Sequence, residues 1–153
     1  HRVPYEELVL TKEIGHGAFG VVFLASWRNS RVAIKRLHEQ HMTEARLTQF
    51  LYEAQLMERV GNHPRVVRFL GVCATPGKPL CLVTEYMPGG SVDTLLRSKQ
   101  KISLAMRMNW ALDGACGVFH LHAERIIHRD IAARNLLVDS HLRVKVSDFG
   151  LSR

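Results

Sequence analysis

The segment from residue 126 to residue 150 places several polar residues between short apolar runs, and it constrains the fold more than any other part of the chain. Its apolar runs predict brief strands at residues 126–127, 136–138 and 142–146, with a polar turn at residues 139–141. The acids therefore lie at strand ends or in loops, where a rigid scaffold can present side chains to a ligand. The polar residues of interest are His128, Arg129, Asp130, Asn135 and Asp148.

The spacing of these polar residues suits two chemical tasks. Asp130 can accept a proton from a substrate hydroxyl, whereas Asn135 and Asp148 can hold a hard cation through oxygen atoms. Each residue alone indicates little, because Asp and Asn commonly form turns. Together they match the pattern His-Arg-Asp-x-x-x-x-Asn followed by Asp-Phe-Gly, and in this segment the chain resembles the protein kinases.

A glycine-rich loop near the N-terminus agrees with this resemblance. Gly15, Gly17 and Gly20 form a Gly-x-Gly-x-x-Gly pattern between predicted strands at residues 8–14 and 21–27. The same pattern opens a helix in dinucleotide-binding folds. Here the following segment is β-branched and aromatic, which predicts a second strand, and its glycines would let backbone amides approach phosphates. An ordinary glycine hairpin is the alternative.

A lysine and a glutamate further along the chain form a second pair of candidate residues. Residues 31–37 predict a third strand whose Val-Ala-Ile-Lys segment matches a kinase pattern, with Ala33 and Lys35 on one face. Residues 44–60 predict a helix, and Glu53 lies on its apolar stripe. A carboxylate that faces a core needs a cationic partner, and the resemblance makes Lys35 that partner. The alternative places Glu53 at the exposed edge of the stripe.

The remaining patterns complete a prediction of an α+β, protein kinase-like two-lobe fold. Strands are expected at residues 65–72 and 80–84, and helices at 92–97 and 102–124. The longer helix carries an apolar stripe that predicts a core position, formed by Leu104, Met108, Ala111 or Leu112, Ala115 and Phe119. Pro-Gly-Gly near residue 88 indicates a boundary. We therefore expect a five-stranded antiparallel sheet with one helix in residues 1–87, and the first half of a mainly helical lobe in residues 88–153.

The resemblance implies a site for ATP and Mg²⁺. Lys35, held by Glu53, would bind the α- and β-phosphates, Asp130 would orient the substrate hydroxyl, and Asn135 and Asp148 would hold the metal. The ribose contact stays open, because Asp93 falls one position before the usual place and Thr94 occupies it. The other residues implied around the nucleotide are Ile14, Gly15, Gly17, Gly20, Val22, Ala33, Thr84, Glu85, Met87 and Leu137.

The acceptor hydroxyl is indicated by the residues that follow Asp130. Serine/threonine kinases usually carry a lysine two residues after the catalytic aspartate, and this chain has Ala132 at that position. Ala132-Ala133-Arg134 instead resembles the tyrosine kinases, in which the arginine takes the role of that lysine. The first half, including Tyr86-Met-Pro-Gly-Gly, equally resembles the tyrosine-kinase-like serine/threonine group. We predict a protein kinase that acts on tyrosine, with a serine/threonine kinase, a pseudokinase scaffold and a dinucleotide-binding domain as alternatives.

Composition limits the other classes of function. A length of 153 residues with 46% hydrophobic residues can build a modest core, and the net charge of +7 suits an anionic ligand. The basic residues are dispersed, which disfavours nucleic acid and membrane surfaces as partners, and the three cysteines predict free thiols. No apolar run approaches the ~18 residues of a membrane span, so we expect a cytoplasmic protein or the cytoplasmic domain of a receptor. The sequence does not indicate an oligomeric state.

The two ends of the sequence also carry an expectation. There is no initiator methionine, and the chain stops three residues after Asp-Phe-Gly. We therefore expect an incomplete kinase domain that is inactive by itself.

Overall fold

The computed structural model describes residues 1–17, 20–38, 43–149 and 152, and the chain forms two compact units. The first unit comprises His1–Glu58 and Arg68–Tyr86, and the second comprises Arg59–Val67 and Met87–Arg153. Residues 59–67 thus belong to the second unit although the segments on both sides belong to the first.

The first unit is built on a five-stranded antiparallel sheet with the order β1-β2-β3-β5-β4. Along β3, Val32 and Ile34 are almost fully buried, whereas Ala33 and Lys35 are half-buried on the other face, as the alternation predicts. Arg28 and Asn29 both adopt positive φ angles of 48° and 63°, which closes the tight turn between β2 and β3. The strands are β1 Leu8–Gly17, β2 Gly20–Trp27, β3 Ser30–Leu37, β4 Phe69–Cys73 and β5 Cys81–Glu85.

Helix α1 spans Glu44–Val60 and follows Thr43, whose hydroxyl accepts a hydrogen bond from the amide of Arg46 at 3.3 Å. Such a cap satisfies an amide that has no partner within the helix. The buried residues of α1 recur at three- and four-residue steps, as the sequence predicts, and they are Phe50, Glu53, Ala54, Leu56, Met57 and Val60.

The second unit contains two further helices and a small antiparallel sheet with the order β6-β7-β8. Ser91 and Ser103 cap the two helices by accepting hydrogen bonds from the amides of Thr94 and Met106, each at 3.1 Å. The elements are β6 Gly90–Ser91, α2 Val92–Arg97, α3 Leu104–Ala123, β7 Leu136–Val138 and β8 Val144–Val146. The predicted α+β fold with a five-stranded antiparallel sheet is therefore confirmed.

Two of the predicted strands are wrong in part, and one is wrong entirely. Residues 126–127 form no strand, because Arg125 has φ of 59° and the amide of Ile126 returns to the Leu121 carbonyl at 2.8 Å, which ends α3. The strand expected at 65–72 begins only at Phe69, and the strand expected at 142–146 begins only at Val144, because Leu142 turns with φ of 59°. The short strand β6 was not predicted, since Pro-Gly-Gly indicates only a turn.

The apolar stripe for which a core position on α3 was expected is exposed in this chain. Leu104, Met108, Leu112 and Phe119 are between 63% and 76% exposed. The buried face instead contains Trp110, Asp113, Gly114, Gly117 and Leu121. Two glycines on this face allow the backbone of α3 to come close to neighbouring segments, and hydrophobicity alone does not reveal such a face.

None of the helices in the described ranges combines the length and the apolar character that a bilayer crossing needs.

Candidate active site

One face of the five-stranded sheet gathers residues expected to surround the nucleotide. The register places Val22 opposite Lys35, and Ala33 opposite Thr84. Gly15 of β1 lies opposite Val22. Residues directly opposite one another in a ladder project from the same face, so these five residues share the face that does not carry Val32 and Ile34. Ile14 precedes Gly15 and is 41% exposed.

The glycine loop is described at its two ends only. Gly17 pairs with Gly20 across the end of the β1–β2 hairpin, and Ala18 and Phe19 lie outside the described residues. A Cβ atom on Gly20 would lie 2.2 Å from the Arg36 carbonyl oxygen, so only glycine fits at that position. The packing of β2 against β3 thus explains Gly20, and its role beside phosphates remains a prediction.

Lys35 and Glu53 form the ion pair that the sequence predicts. The Lys35 Nζ atom lies 2.8 Å from Oε1 and 3.1 Å from Oε2 of Glu53. The side chains are 23% and 8% exposed respectively, so the alternative that Glu53 is exposed is wrong. Helix α1 thereby holds one ammonium group over the face of the sheet, with water largely excluded from its carboxylate partner.

The end of β5 is anchored to the segment before β4. The amide of Glu85 donates to the Arg68 carbonyl at 3.0 Å, and Glu85 Oε1 accepts from the Arg68 amide at 2.8 Å. The half-buried Thr84 donates its hydroxyl to the Glu85 carbonyl at 3.3 Å. Met87 begins the next part of the second unit, where it is buried and its carbonyl accepts from the amide of Gly90 at 3.2 Å. The adenine contacts of these residues remain predictions.

In the second unit, two side chains hold the carboxylate of Asp130. Arg134 Nη2 lies 2.5 Å from Oδ1, and Asn135 Nδ2 donates to Oδ2 at 3.0 Å and to the Asp130 carbonyl at 2.8 Å. A 3₁₀ turn at Ala133–Asn135 places both partners beside Asp130. The Asp130 side chain is 28% exposed and Arg134 is 61% exposed, so the carboxylate is fixed in direction yet partly open to solvent.

His128 connects this loop to the residue before Asp148. It is 1% exposed, its Nδ1 lies 3.2 Å from the amide of Asp130, and its Nε2 lies 2.8 Å from the Ser147 carbonyl. Because Nδ1 accepts from a backbone N–H, the ring proton is on Nε2, which donates to Ser147. Arg129, between His128 and Asp130, has φ of 67°, a conformation uncommon for a side chain of this size.

Asn135 and Asp148 lie at the two ends of the β7–β8 hairpin. The amide and the hydroxyl of Ser147 donate to the Asn135 carbonyl at 2.9 and 3.0 Å, which ties the ends together. Asp148 is exposed and has φ of 61°. Asn135 donates through Nδ2, so its Oδ1 is the end that can bind a cation. An amide oxygen and a carboxylate are ligand types that Mg²⁺ prefers, and metal binding by Asn135 and Asp148 remains a prediction. Leu137 lies in the same hairpin, opposite Ser91 and Lys145.

Asp113 is a charged residue of this unit that the sequence interpretation missed. It is 3% exposed on α3, and Arg143 donates to it through Nε at 3.0 Å and through Nη2 at 2.7 Å. Burial disfavours its charged form, but the hydrogen bonds from Arg143 and the Val144 amide, with the charge of Arg65, outweigh burial and hold the pKa of Asp113 below its ordinary value. The only signal in the sequence is its helical phase with Trp110 and Gly117.

These features together define a protein kinase-like fold. A Lys–Glu ion pair lies on a five-stranded sheet in one unit, and the other unit carries an Asp-x-x-x-x-Asn loop followed by Asp-Phe-Gly. The chain belongs to the protein tyrosine and serine/threonine kinase family, whose sequence profile matches residues 8–153.

Relatives of this chain include kinases of several specificities. It is 43% identical to the cytoplasmic tyrosine-protein kinase BMX of Mus musculus, over 97% of this chain and 22% of that protein. It is 41% identical to the dual specificity protein kinase shkC of Dictyostelium discoideum, over 96% of this chain and 29% of that protein. It is 40% identical to the serine/threonine-protein kinase CTR1 of Arabidopsis thaliana, over 99% of this chain and 19% of that protein. The chain spans less than a third of the length of these relatives.

Proposed function

We propose that the protein transfers the γ-phosphate of ATP to a hydroxyl group of a protein substrate, and that this hydroxyl belongs to tyrosine. The observation that carries the proposal is the Asp130 carboxylate, which Arg134 and Asn135 hold at 2.5 and 3.0 Å while it stays partly open to solvent. A carboxylate that is oriented and accessible can accept the proton of a hydroxyl. In this proposal, residues 1–87 form the nucleotide-binding lobe and residues 88–153 carry the catalytic loop.

Each residue contributes placement or charge, which is what phosphoryl transfer requires. Lys35 presents an ammonium group to the phosphates, and its contact with both oxygens of Glu53 keeps that group from turning away. Asn135 and Asp148 supply oxygen ligands for Mg²⁺, which would neutralise charge on the phosphates. The substrate oxygen forms a bond to the γ-phosphorus, the bond to the bridging oxygen of ADP breaks, and the hydroxyl proton passes to Asp130.

The preference for tyrosine rests on Arg134. Its guanidinium is within contact of Asp130 and 61% exposed, so it can meet a phosphate beside the acceptor, while Ala132 offers no lysine for that role. A serine/threonine kinase is the second candidate, because relatives of similar identity include serine/threonine and dual specificity kinases.

Phosphoamino-acid analysis of a mixed peptide library tests this function in the full-length natural protein, with labelled ATP and Mg²⁺. Phosphotyrosine is the expected product, and Arg134→Ala should lower kcat/KM by roughly tenfold or more, since a charge-assisted contact is lost. Arg97→Ala is the matched control, because Arg97 also pairs with an aspartate four residues before it, Asp93, at 2.9 Å. Phosphoserine and phosphothreonine alone would favour the second candidate, and nucleotide binding without transfer would indicate a scaffold.

A further inference from the structure

A buried carboxylate on α3 anchors the hairpin that separates Asn135 from Asp148. Asp113 accepts from Arg143 through both oxygens, at 2.7 and 3.0 Å, and from the amide of Val144 at 3.0 Å. Arg65 adds an ion pair at 3.5 Å. The Asp113 side chain is 5% exposed. Arg143 immediately precedes β8 and Val144 is its first residue, so one carboxylate holds the start of that strand.

The same strand is held from its other edge by the backbone around Arg65. The amide of Val146 donates to the Arg65 carbonyl at 2.8 Å, and the amide of Val67 donates to the Val146 carbonyl at 2.9 Å. Arg65 therefore contacts Asp113 through its side chain and β8 through its carbonyl. Displacement of Asp113 would be transmitted to β8 by two routes, through Val144 and through Arg65.

The hairpin in turn sets the positions of both proposed metal ligands. Asn135 immediately precedes β7, Asp148 follows β8 by two residues, and Ser147 bonds back to the Asn135 carbonyl. The strands pair Leu136 with Val146 and Val138 with Val144. Because a shift of pairing by one residue reverses every side chain of a strand, a displaced β8 would move Asp148 relative to Asn135.

Trp110, one turn earlier on α3, also contacts the hairpin, but through an uncharged group. Trp110 Nε1 donates a single hydrogen bond to the Leu142 carbonyl at 2.9 Å, in the turn of the hairpin, and its ring packs in the core. Asp113 instead accepts a bidentate contact from Arg143 and a hydrogen bond from a backbone amide, and bidentate geometry constrains the direction of both partners.

From this arrangement we infer that Asp113 is a positioning residue for the metal site: through Arg143, Val144 and Arg65 it fixes the β7–β8 hairpin so that Asn135 and Asp148 bind one divalent cation together. The inference rests on the proposed function, since it requires that Asn135 and Asp148 bind the metal. It assigns to Asp113 no contact with nucleotide, substrate or metal.

The test is a titration of Mn²⁺ by electron paramagnetic resonance in the full-length protein saturated with a non-hydrolysable ATP analogue. Asp113→Asn keeps the shape of the side chain but places an amide NH₂ group, which is itself a donor, against the N–H donors of Arg143 and Val144. We expect Mn²⁺ to bind roughly tenfold more weakly, as is found when outer-shell partners of metal ligands are replaced. Affinity for the nucleotide without metal should stay unchanged. Asp113→Glu restores the charge and should recover part of the Mn²⁺ affinity.

A second variant and a control separate positioning from general loss of stability. Arg143→Gln removes the bidentate contact and leaves the Val144 amide on Asp113, so it should weaken Mn²⁺ binding in the same direction by a smaller factor even if Asp113→Asn does not fold. Ile34→Val destabilises the buried sheet of the first unit and should lower Tm without changing Mn²⁺ affinity.

The possible outcomes distinguish failure of this inference from failure of the proposed function. Unchanged Mn²⁺ affinity in Asp113→Asn and Arg143→Gln, with a lower Tm, would show that Asp113 is structural only, and the proposed function would stand. Equal weakening in Ile34→Val would overturn the inference in the same way. A wild-type protein that binds no Mn²⁺ with the nucleotide analogue would overturn the proposed metal site and this inference together.

Discussion

Replacing Lys35 by Met and Glu53 by Gln, singly and together, measures how strongly the two residues are coupled. Exposed ion pairs contribute about 0.2–1 kcal/mol, whereas removal of one partner from a fully buried pair costs about 3–5 kcal/mol. The Lys35–Glu53 pair lies between these limits, because the side chains are 23% and 8% exposed. We therefore expect a coupling free energy of about 2 kcal/mol.

The exposure of the two side chains predicts which single variant loses more of the free energy of unfolding. Lys35→Met leaves the carboxylate of Glu53, 8% exposed, without its ammonium partner, and should lower the free energy of unfolding by about 3 kcal/mol. Glu53→Gln leaves the more exposed Lys35 with an amide oxygen as acceptor, and the expected loss is about 1 kcal/mol. The double variant should lose about 2 kcal/mol, less than Lys35→Met alone, because Glu53→Gln removes the carboxylate that Lys35→Met leaves without a partner.

Urea unfolding at pH 7, followed by circular dichroism, provides the four free energies of the cycle. The pair Asp93–Arg97 is the control, because it has a similar distance of 2.9 Å but side chains that are 37% and 81% exposed. Its coupling should stay below about 0.5 kcal/mol and should fall in high salt. A Lys35–Glu53 coupling no larger than that of the control would refute the reasoning, and so would a larger loss for Glu53→Gln than for Lys35→Met.

Three further predictions concern the second unit. Asp130→Asn should lower kcat by about 10²–10⁴ without changing ATP affinity in a binding assay; parallel loss of ATP binding would mean that its role is misassigned. Because the pKa of Asp113 is lowered in the folded state, its contribution to stability is complete above its ordinary pKa of about 3.9 and is lost as pH falls through the folded value. The stability difference from Asp113→Asn should therefore shrink in acid, as urea midpoints between neutral pH and pH 2.5 would show, and a constant difference would contradict this. A Cβ on Gly117 would lie 2.5 Å from the Arg65 carbonyl oxygen, so Gly117→Ala should lower the free energy of unfolding in urea by about 1–3 kcal/mol. The control is Gly114→Ala, whose Cβ would have neighbours at 3.5 Å or more. This variant should raise the free energy of unfolding by up to about 1 kcal/mol through helix propensity.

The sequence predicts the first unit well because its signals are periodic. Alternation along β3 identifies the face of Lys35, and the helical stripe of α1 identifies the face of Glu53, while the resemblance to the kinases supplies the pairing between them. The structure of the second unit is predicted less well. The strand expected at 126–127 fails because Ile126 is buried by the turn that ends α3 and not by a ladder. Burial alone does not identify a strand.

The faces of α3 show why part of the site could not be predicted. Leu104, Met108 and Phe119 give the stronger apolar signal, yet they are exposed, while Asp113 and Gly117 are buried. A glycine is buried there because the Arg65 carbonyl and Val146 approach the helix within the reach of a Cβ. Such a close approach depends on tertiary structure, and neither hydropathy nor spacing records it.

Two aspartates of the second unit illustrate how surroundings divide roles between identical side chains. An ionised carboxylate offers about four acceptor positions. Asp113 fills three with hydrogen bonds from Arg143 and Val144, adds the ion pair with Arg65, and has a side chain only 5% exposed, so it has no room for a substrate proton. Asp130 receives two side-chain contacts on its two oxygens, and its side chain is 28% exposed. Of these two aspartates, Asp130 is the one that combines a fixed direction with remaining acceptor capacity, and the proposed base for a hydroxyl group needs both properties.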